Sequence, residues 1–148
     1  MTKFSNTKNV VLYADDDPDD LELVKDAFYN FTNNVEVLTF SDGIQALSYL
    51  NDLSDSDPTP CLIILDINMP MLSGKDVLIR VRENKRFEEV PVVLFTTSSL
   101  PNDKTFAAQY KSGFITKPID ANQMARIADQ FIDHCGGDVR DKIRRQMQ

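Results

Sequence analysis

What most constrains this chain is that two hydrophobic periods take turns along it. The run "NVVLYA" (9–14) is apolar and ends on acids. "PDDLELVKDAFYNF" (18–31) follows, with Leu21, Val24, Phe28 and Phe31 at helical spacing, Pro18 near its start and acids in its first turn. "VEVLTF" (35–40) alternates as a strand does, and "SDGIQALSYL" (41–50) brings Ile44, Leu47 and Leu50 onto one helical face. The third apolar run, "CLIILD" (61–66), leads to a helix opened by Ser73 and Asp76, spaced as a capping box. "VPVVLFTT" (90–97) is the fourth strand, with Pro91 tolerable only at its start, and a short helix runs from Pro101 through Tyr110. A fifth, short strand, "GFITK" (113–117), stops at Pro118. Asp120 and Gln123 form another capping pair, after which Met124, Ile127, Ala128, Phe131 and Ile132 repeat at helical spacing.

Five strands and five helices therefore alternate. Strands with unbroken apolar runs are buried on both faces, and right-handed crossovers lay helices on both sides of a parallel sheet. The expected class is α/β, a doubly wound five-stranded parallel sheet. A chain of 148 residues, 42% of them hydrophobic, forms one globular domain that needs no disulfide or metal staple. Cys61 and Cys135 lack any motif spacing and fit a reduced compartment. Acids interrupt the start of the chain before any signal-peptide-length apolar stretch, and no run approaches the ~20 apolar residues of a membrane helix. The expectation is a cytoplasmic protein with no membrane partner. A net charge of −7 argues against a nucleic-acid surface and for a basic partner or a bound cation.

Ligands of such sheets gather beyond the carboxyl ends of the strands, where strand order reverses. Strand one ends in Asp15, Asp16 and Asp17, strand three in Asp66, strand four in Thr96 and Thr97, and strand five in Lys117. Each has an ordinary explanation alone: acids cap helices, Thr favours strands and Lys is usually solvated. Together on one edge they read as a site. Clustered carboxylates repel unless a cation neutralises them, and hard oxygen donors select Mg2+, with Mn2+ as a substitute. A carboxylate so neutralised can attack phosphorus, and an ammonium and a hydroxyl stabilise charge on the transferring group. Asp66, standing singly in mid-series, is the candidate phosphoacceptor.

Through "ADDDP", "LDINMP", "FTTS" and "TKP", each after a strand, the chain resembles a response regulator receiver domain of two-component phosphorelay signalling, over about residues 9–134. The resemblance is to the stand-alone type, with a chemotaxis-regulator-like, flavodoxin-like sheet of order 2-1-3-4-5. It implies an N-terminal extension at 1–8, a receiver domain at 9–135 and a tail at 136–148. It implies that Asp15, Asp16, Asp66 and the backbone carbonyl of Asn68 hold the metal. Asp66 would take the phosphoryl group from a histidine kinase or histidine phosphotransfer protein, and Thr96 and Lys117 would bind that group. Phe114 would be the aromatic that swings inward when Thr96 engages; read from the residues alone, it is equally an ordinary core aromatic. Asn68 and Ser98 would tune dephosphorylation, the bond before Pro118 is one that is often cis in the family, and Asp17 would only cap the first helix. Such a chain is a signalling receiver rather than an enzyme. Its output would be binding to an unidentified downstream protein or onward relay, and the resemblance admits a homodimer.

Three features depart from the family pattern. The segment "FAAQYKSGF" lacks the usual Gly-Ala step and is a residue shorter, so its turn is expected to differ. The loop at 51–60 is longer than the minimal pattern and reads as a tolerated surface insertion. The tail, with Arg140, Lys142, Arg144 and Arg145, reads as a frayed, solvated helix, and His134, the single histidine, as a surface residue. The competing function is a metal-dependent phosphohydrolase of the haloacid-dehalogenase type, because Asp15 and Asp17 form D-x-D. Against it, Asp19 stands where that pattern needs Thr or Val, and no cap insertion follows.

Overall fold

The alternation folds into one parallel sheet flanked by helices. In the computed structural model, which describes residues 8–145, the strands are β1 (Asn9–Ala14), β2 (Val35–Phe40), β3 (Leu62–Leu65), β4 (Val92–Thr96) and β5 (Gly113–Thr116). The helices are α1 (Pro18–Phe31), α2 (Gly43–Asp52), α3 (Gly74–Glu83), α4 (Pro101–Gln109), α5 (Ala121–Ala125), α6 (Ile127–Ile132) and α7 (Gly137–Arg145). The sheet order is β2-β1-β3-β4-β5, all pairs parallel, as expected. The four residues of β3 are all buried, which is why that strand reads as an unbroken aliphatic run.

The pleat sorts alternate side chains into two cores. Val11, Tyr13, Leu62, Ile64, Val93 and Phe95 face α1, α5 and α6; Leu12, Ala14, Ile63, Leu65, Val92 and Leu94 face α2, α3 and α4. On the first face an aromatic chain runs inward from the helices. Phe28 stacks on Phe131 at 5.8 Å, Phe131 meets Phe95 edge-on at 5.0 Å, and Phe95 meets Tyr13 at 6.1 Å. Caps match the sequence: Asp17, Asp42, Ser73 and Asp120 each accept backbone N–H bonds at a helix start, and Ser73 with Asp76 completes a capping box.

Three expectations are corrected. The described residues contain seven helices, not five. The last predicted helix is interrupted at Arg126, whose amide donates to the Gln123 carbonyl in a tightened turn, while Met124 and Ile127 stay buried on either side. The tail is not frayed. α7 buries Ile143 completely, packs Val139 against the same core, and holds Arg144 at 2.8 Å from Asp129 and 2.7 Å from Asp133. An amphipathic stripe of only two apolar residues gave little sequence signal for that docking. No described peptide bond is cis, so the bond before Pro118 is trans, the isomer that X–Pro favours by about 0.5–1 kcal/mol where nothing enforces the other. The 51–60 insertion lies largely on the surface, as expected, and is tied down there. Arg86 donates to the carbonyls of Leu53, Ser54 and Asp57 at 3.0, 2.7 and 2.7 Å, which the sequence did not announce.

The turn into β5 is built on a single strained residue. Lys111 takes the left-handed conformation at φ 57, a place glycine fills without a Cβ penalty. Arg82 clips it in place, donating to the carbonyls of Tyr110 and Lys111 at 2.8 and 3.1 Å. His134 is exposed beside Gly113, at the opposite end of β5 from Lys117.

Two stability outcomes follow, both read by urea denaturation. Lys111→Gly relieves the left-handed strain and is expected to gain about 0.5 kcal/mol, the strain relief slightly exceeding the added backbone entropy of glycine. Ile143→Ala is expected to cost about 2 kcal/mol, where a solvated tail would show no change.

Candidate functional site

The register of the central strands builds the site. β1 and β3 pair with Ala14 beside Leu65, so the next residues, Asp15 and Asp66, leave the sheet side by side. The Asp66 amide continues the ladder by donating to the Ala14 carbonyl at 3.0 Å. β4 and β5 end with Thr96 beside Thr116, and the Lys117 amide donates to the Thr96 carbonyl at 2.7 Å. β2 lies on one side of β1 and the later strands on the other, so this is the point where strand order reverses.

Asp66 is further fixed by α3. The Gly74 amide donates to the Ile67 carbonyl at 3.0 Å, and a Cβ on Gly74 would stand 2.2 Å from the Asp66 carbonyl oxygen. Only glycine lets the helix start so close to the strand end.

Lys117 gathers the acids. Its Nζ lies 2.7 Å from Asp15 Oδ2, 2.8 Å from Asp20 Oδ2 and 3.4 Å from Asp66 Oδ2. Asp15 is fully buried and fully engaged: Oδ2 also accepts the Tyr13 hydroxyl at 2.5 Å, and Oδ1 accepts the Asp17 amide at 2.9 Å. Asp66 Oδ1 accepts the Asn68 amide at 3.3 Å. Carboxylate oxygens of Asp15, Asp16 and Asp66 lie within 4.8 Å of one another, with Asp16 exposed at the mouth.

One ammonium among so many carboxylates leaves excess negative charge in a buried setting, and both features bear on protonation. Burial, and then the charge of Asp15, push the Asp66 carboxyl up to about 6 against the pull of Lys117 and the Asn68 amide. Burial draws the Lys117 ammonium down, but its bonds to Asp15 and Asp20 and the charges of Asp15 and Asp66 outweigh burial, and it stays firmly charged. Burial and the neighbouring Asp15 raise the Tyr13 phenol, so Tyr13 remains a donor. Three hard oxygen donors at this spacing, from Asp15, Asp16 and Asp66, could hold a divalent cation.

Of the residues singled out from the sequence, Asp15, Asp16, Asp66 and Lys117 meet, with Thr96 fully buried at the end of the neighbouring strand. Thr96 Oγ1 accepts the Ser98 amide at 3.3 Å. Ser98 itself turns away, donating to Asp103 at 2.6 Å. Phe114 is half-buried on the α4 side of the sheet, with Lys104 Nζ 6.0 Å from its ring centre. Asp17 is committed to capping α1, accepting from the Asp19 and Asp20 amides at 2.9 and 3.4 Å, which removes it as the second acid of a D-x-D pair.

Two members escaped the sequence reading. Asp20 passed for a first-turn acid answering the helix dipole, yet it lies four residues before Val24 and eight before Phe28, in phase with the buried face of α1. Tyr13 passed for core, although a tyrosine at the end of a doubly buried strand needs a partner for its hydroxyl.

The family profile described as "Response regulator receiver domain" matches residues 11–129. The response regulator Rcp1 of Synechocystis sp. is 32% identical over 105 residues, covering 70% of this chain and 71% of that protein. Among solved structures, the phosphorylated cyanobacterial phytochrome response regulator RcpA is 28% identical with a TM-score of 0.74, over 81% of this chain and 88% of that one. The Mn(2+)-bound form of response regulator Rcp1 is 27% identical, also with a TM-score of 0.74, over 83% and 93%.

The raised Asp66 carboxyl has a signed consequence. Its folded pKa of about 6 exceeds the unfolded value of 3.8, so the folded state binds this proton more tightly, and stability falls as pH rises between those values. In metal-free buffer, Asp66→Asn is expected to stabilise the fold by about 2 kcal/mol at pH 7.5, with the gain vanishing below pH 4. Urea titrations across that range check it.

Proposed function

The chain belongs to the response regulator receiver domain family, and from that membership we propose that it is a two-component phosphoacceptor whose Asp66 takes a phosphoryl group from a phosphohistidine donor. The observation that carries the reading is the convergence on Asp66 of Lys117 Nζ, at 3.4 Å, and two further carboxylates with oxygens within 4.8 Å. An acid held so close to Asp15 and Asp16 without catalytic purpose would be a net electrostatic cost.

In this reading Asp66 Oδ attacks phosphorus, the P–N bond to the donor imidazole breaks, and an aspartyl phosphate forms. Asp66, about 6 in its folded pKa, is mostly ionised and nucleophilic at neutral pH. Asp15, Asp16, Asp66 and the backbone carbonyl of Asn68 hold a divalent ion, Mg2+ with Mn2+ as substitute, as the Mn(2+)-bound relative supports. The ion supplies positive charge to the phosphoryl oxygens and relieves the repulsion among the acids. Lys117, kept protonated by Asp15 and Asp20, remains available to a phosphoryl oxygen, and Tyr13 keeps Asp15 from swinging away. Thr96, buried at the end of β4, donates to the phosphoryl group once its hydroxyl turns.

The new charge and acceptor oxygens shift a two-state equilibrium rather than remake the fold. Phe114 is the aromatic that follows Thr96, and the surface of α4 and β5 is what a downstream protein reads, unless the phosphoryl group passes onward. Asn68 and Ser98, flanking the acceptor and the hydroxyl, set the lifetime of the aspartyl phosphate. A histidine kinase or histidine phosphotransfer protein is the donor, in a cytoplasmic setting.

Acetyl phosphate with Mg2+ tests the reading directly. Intact-protein mass spectrometry is expected to show one added phosphoryl group on the wild type and none on Asp66→Asn. An adduct on the variant that maps to Asp15 or Asp17 would move the chemistry to the phosphohydrolase pattern instead.

A further inference from the structure

The starts of α3 and α4, beside the site, are joined by an ion pair between Lys75 and Asp103, two residues that the phosphoacceptor chemistry does not use. Lys75, the residue after Gly74 on α3, holds its Nζ 2.5 Å from Asp103 Oδ1 in the first turn of α4. Asp103 Oδ2 accepts the Ser98 hydroxyl at 2.6 Å, and Ser98 Oγ in turn accepts the Leu100 amide at 3.2 Å. The Ser98 amide donates to Thr96 Oγ1 at 3.3 Å. A continuous line of bonds thus runs from the Thr96 hydroxyl through Ser98 and Asp103 to Lys75, whose neighbour Gly74 abuts the Asp66 carbonyl.

The network matters because little else anchors the first turn of α4. Of its nine residues only Asp103 and Ala107 are buried, and its N-cap, Leu100, is exposed and offers no side-chain cap. The first turn is therefore seated by a carboxylate, 7% exposed, rather than by apolar packing. Lys75 is itself steered by the Phe106 ring, whose centre lies 5.2 Å from its Nζ. A first turn held by one partly buried ion pair, while Ala107 and the partly buried Phe106 pack the later part of the helix, has a second arrangement within reach at modest cost.

We infer that Lys75, Asp103 and Ser98 form a latch that holds the β4–α4 loop in the unphosphorylated arrangement and thereby sets how readily Thr96 engages a phosphoryl group. Lys75 and Asp103 are positioning residues: neither touches the acceptor, and both act through Ser98 and the loop. The inference rests on the phosphoacceptor reading for its consequence at Asp66, and on geometry alone for the latch itself. Releasing the latch removes a restraint on Thr96 in the resting state and leaves the metal acids untouched.

The test uses the full chain and two readouts. Asp103→Asn and Lys75→Gln are each expected to lower the beryllofluoride concentration for half-saturation, in the presence of Mg2+, by roughly threefold to tenfold, the scale of one charge-assisted hydrogen bond. The double variant is expected to do no more than either single change, because all three break one network. Lys75→Arg, which keeps the charge, is expected to stay near wild type, and Mg2+ affinity without beryllofluoride is expected to be unchanged throughout. The second readout needs no phosphoryl analogue: amide hydrogen exchange at Ser98 and Leu100 is expected to accelerate in Asp103→Asn and Lys75→Gln. Unchanged exchange, or beryllofluoride binding equal to wild type in both variants, would overturn the latch. A wild type that takes no beryllofluoride while the variants still accelerate exchange would keep the latch and overturn the phosphoacceptor reading.

Discussion

The contact on which the rest of the structure turns is the Lys117 ammonium among Asp15, Asp20 and Asp66. Its partners lie 102, 97 and 51 residues away along the chain, so the contact exists only when β1, β3, β5 and the start of α1 are all in place. It is mostly buried, with Lys117 and Asp15 side chains 7% and 0% exposed, so its charges are poorly screened and leaving any of them unpaired would be costly. Yet one ammonium does not neutralise the cluster, and the residual negative charge on three hard oxygen donors suits a divalent cation.

Rigidity is distributed unevenly around that cluster. On the β1–β3 side, ladder bonds, the Tyr13 hydroxyl, the Asp17 amide and the close approach of Gly74 fix Asp15 and Asp66 from several directions. On the β4–β5 side, Thr96 ends a buried strand, but the loop beyond it leads to a helix with two buried residues and no side-chain cap. The proposed phosphoacceptor role would use this combination: the acids would hold still to bind and react, while the element that reports the event would have somewhere to go.

The same asymmetry explains which parts of the site could be read from the chain. Asp15, Asp16, Asp66, Thr96 and Lys117 each stand at or just past the carboxyl end of a strand-like run, and in a parallel sheet every such position falls on one edge. Asp20 carried a subtler signal, its phase with Val24 and Phe28, which was masked because first-turn acids are favoured by the helix dipole in any case. Lys75 and Asp103 carried none: each looks like an ordinary surface charge on its own helix. Nor did Arg86 reveal that it would bind the 51–60 loop, or two apolar residues in the tail that α7 would dock. These contacts join elements whose proximity depends on how helices lean on the sheet, which hydrophobic spacing does not encode.

The sequence by itself determined the α/β class, the alternation, the caps and the set of strand-end residues, because hydrophobic period and the parallel topology it demands leave little choice. Only the tertiary structure decided that Asp15 and Asp66 stand side by side, that Lys117 is shared with Asp20, that the bond before Pro118 is trans, and that an ion pair seats the first turn of α4. Register and helix placement arise from packing summed over the whole sheet, and no local stretch of residues contains that sum.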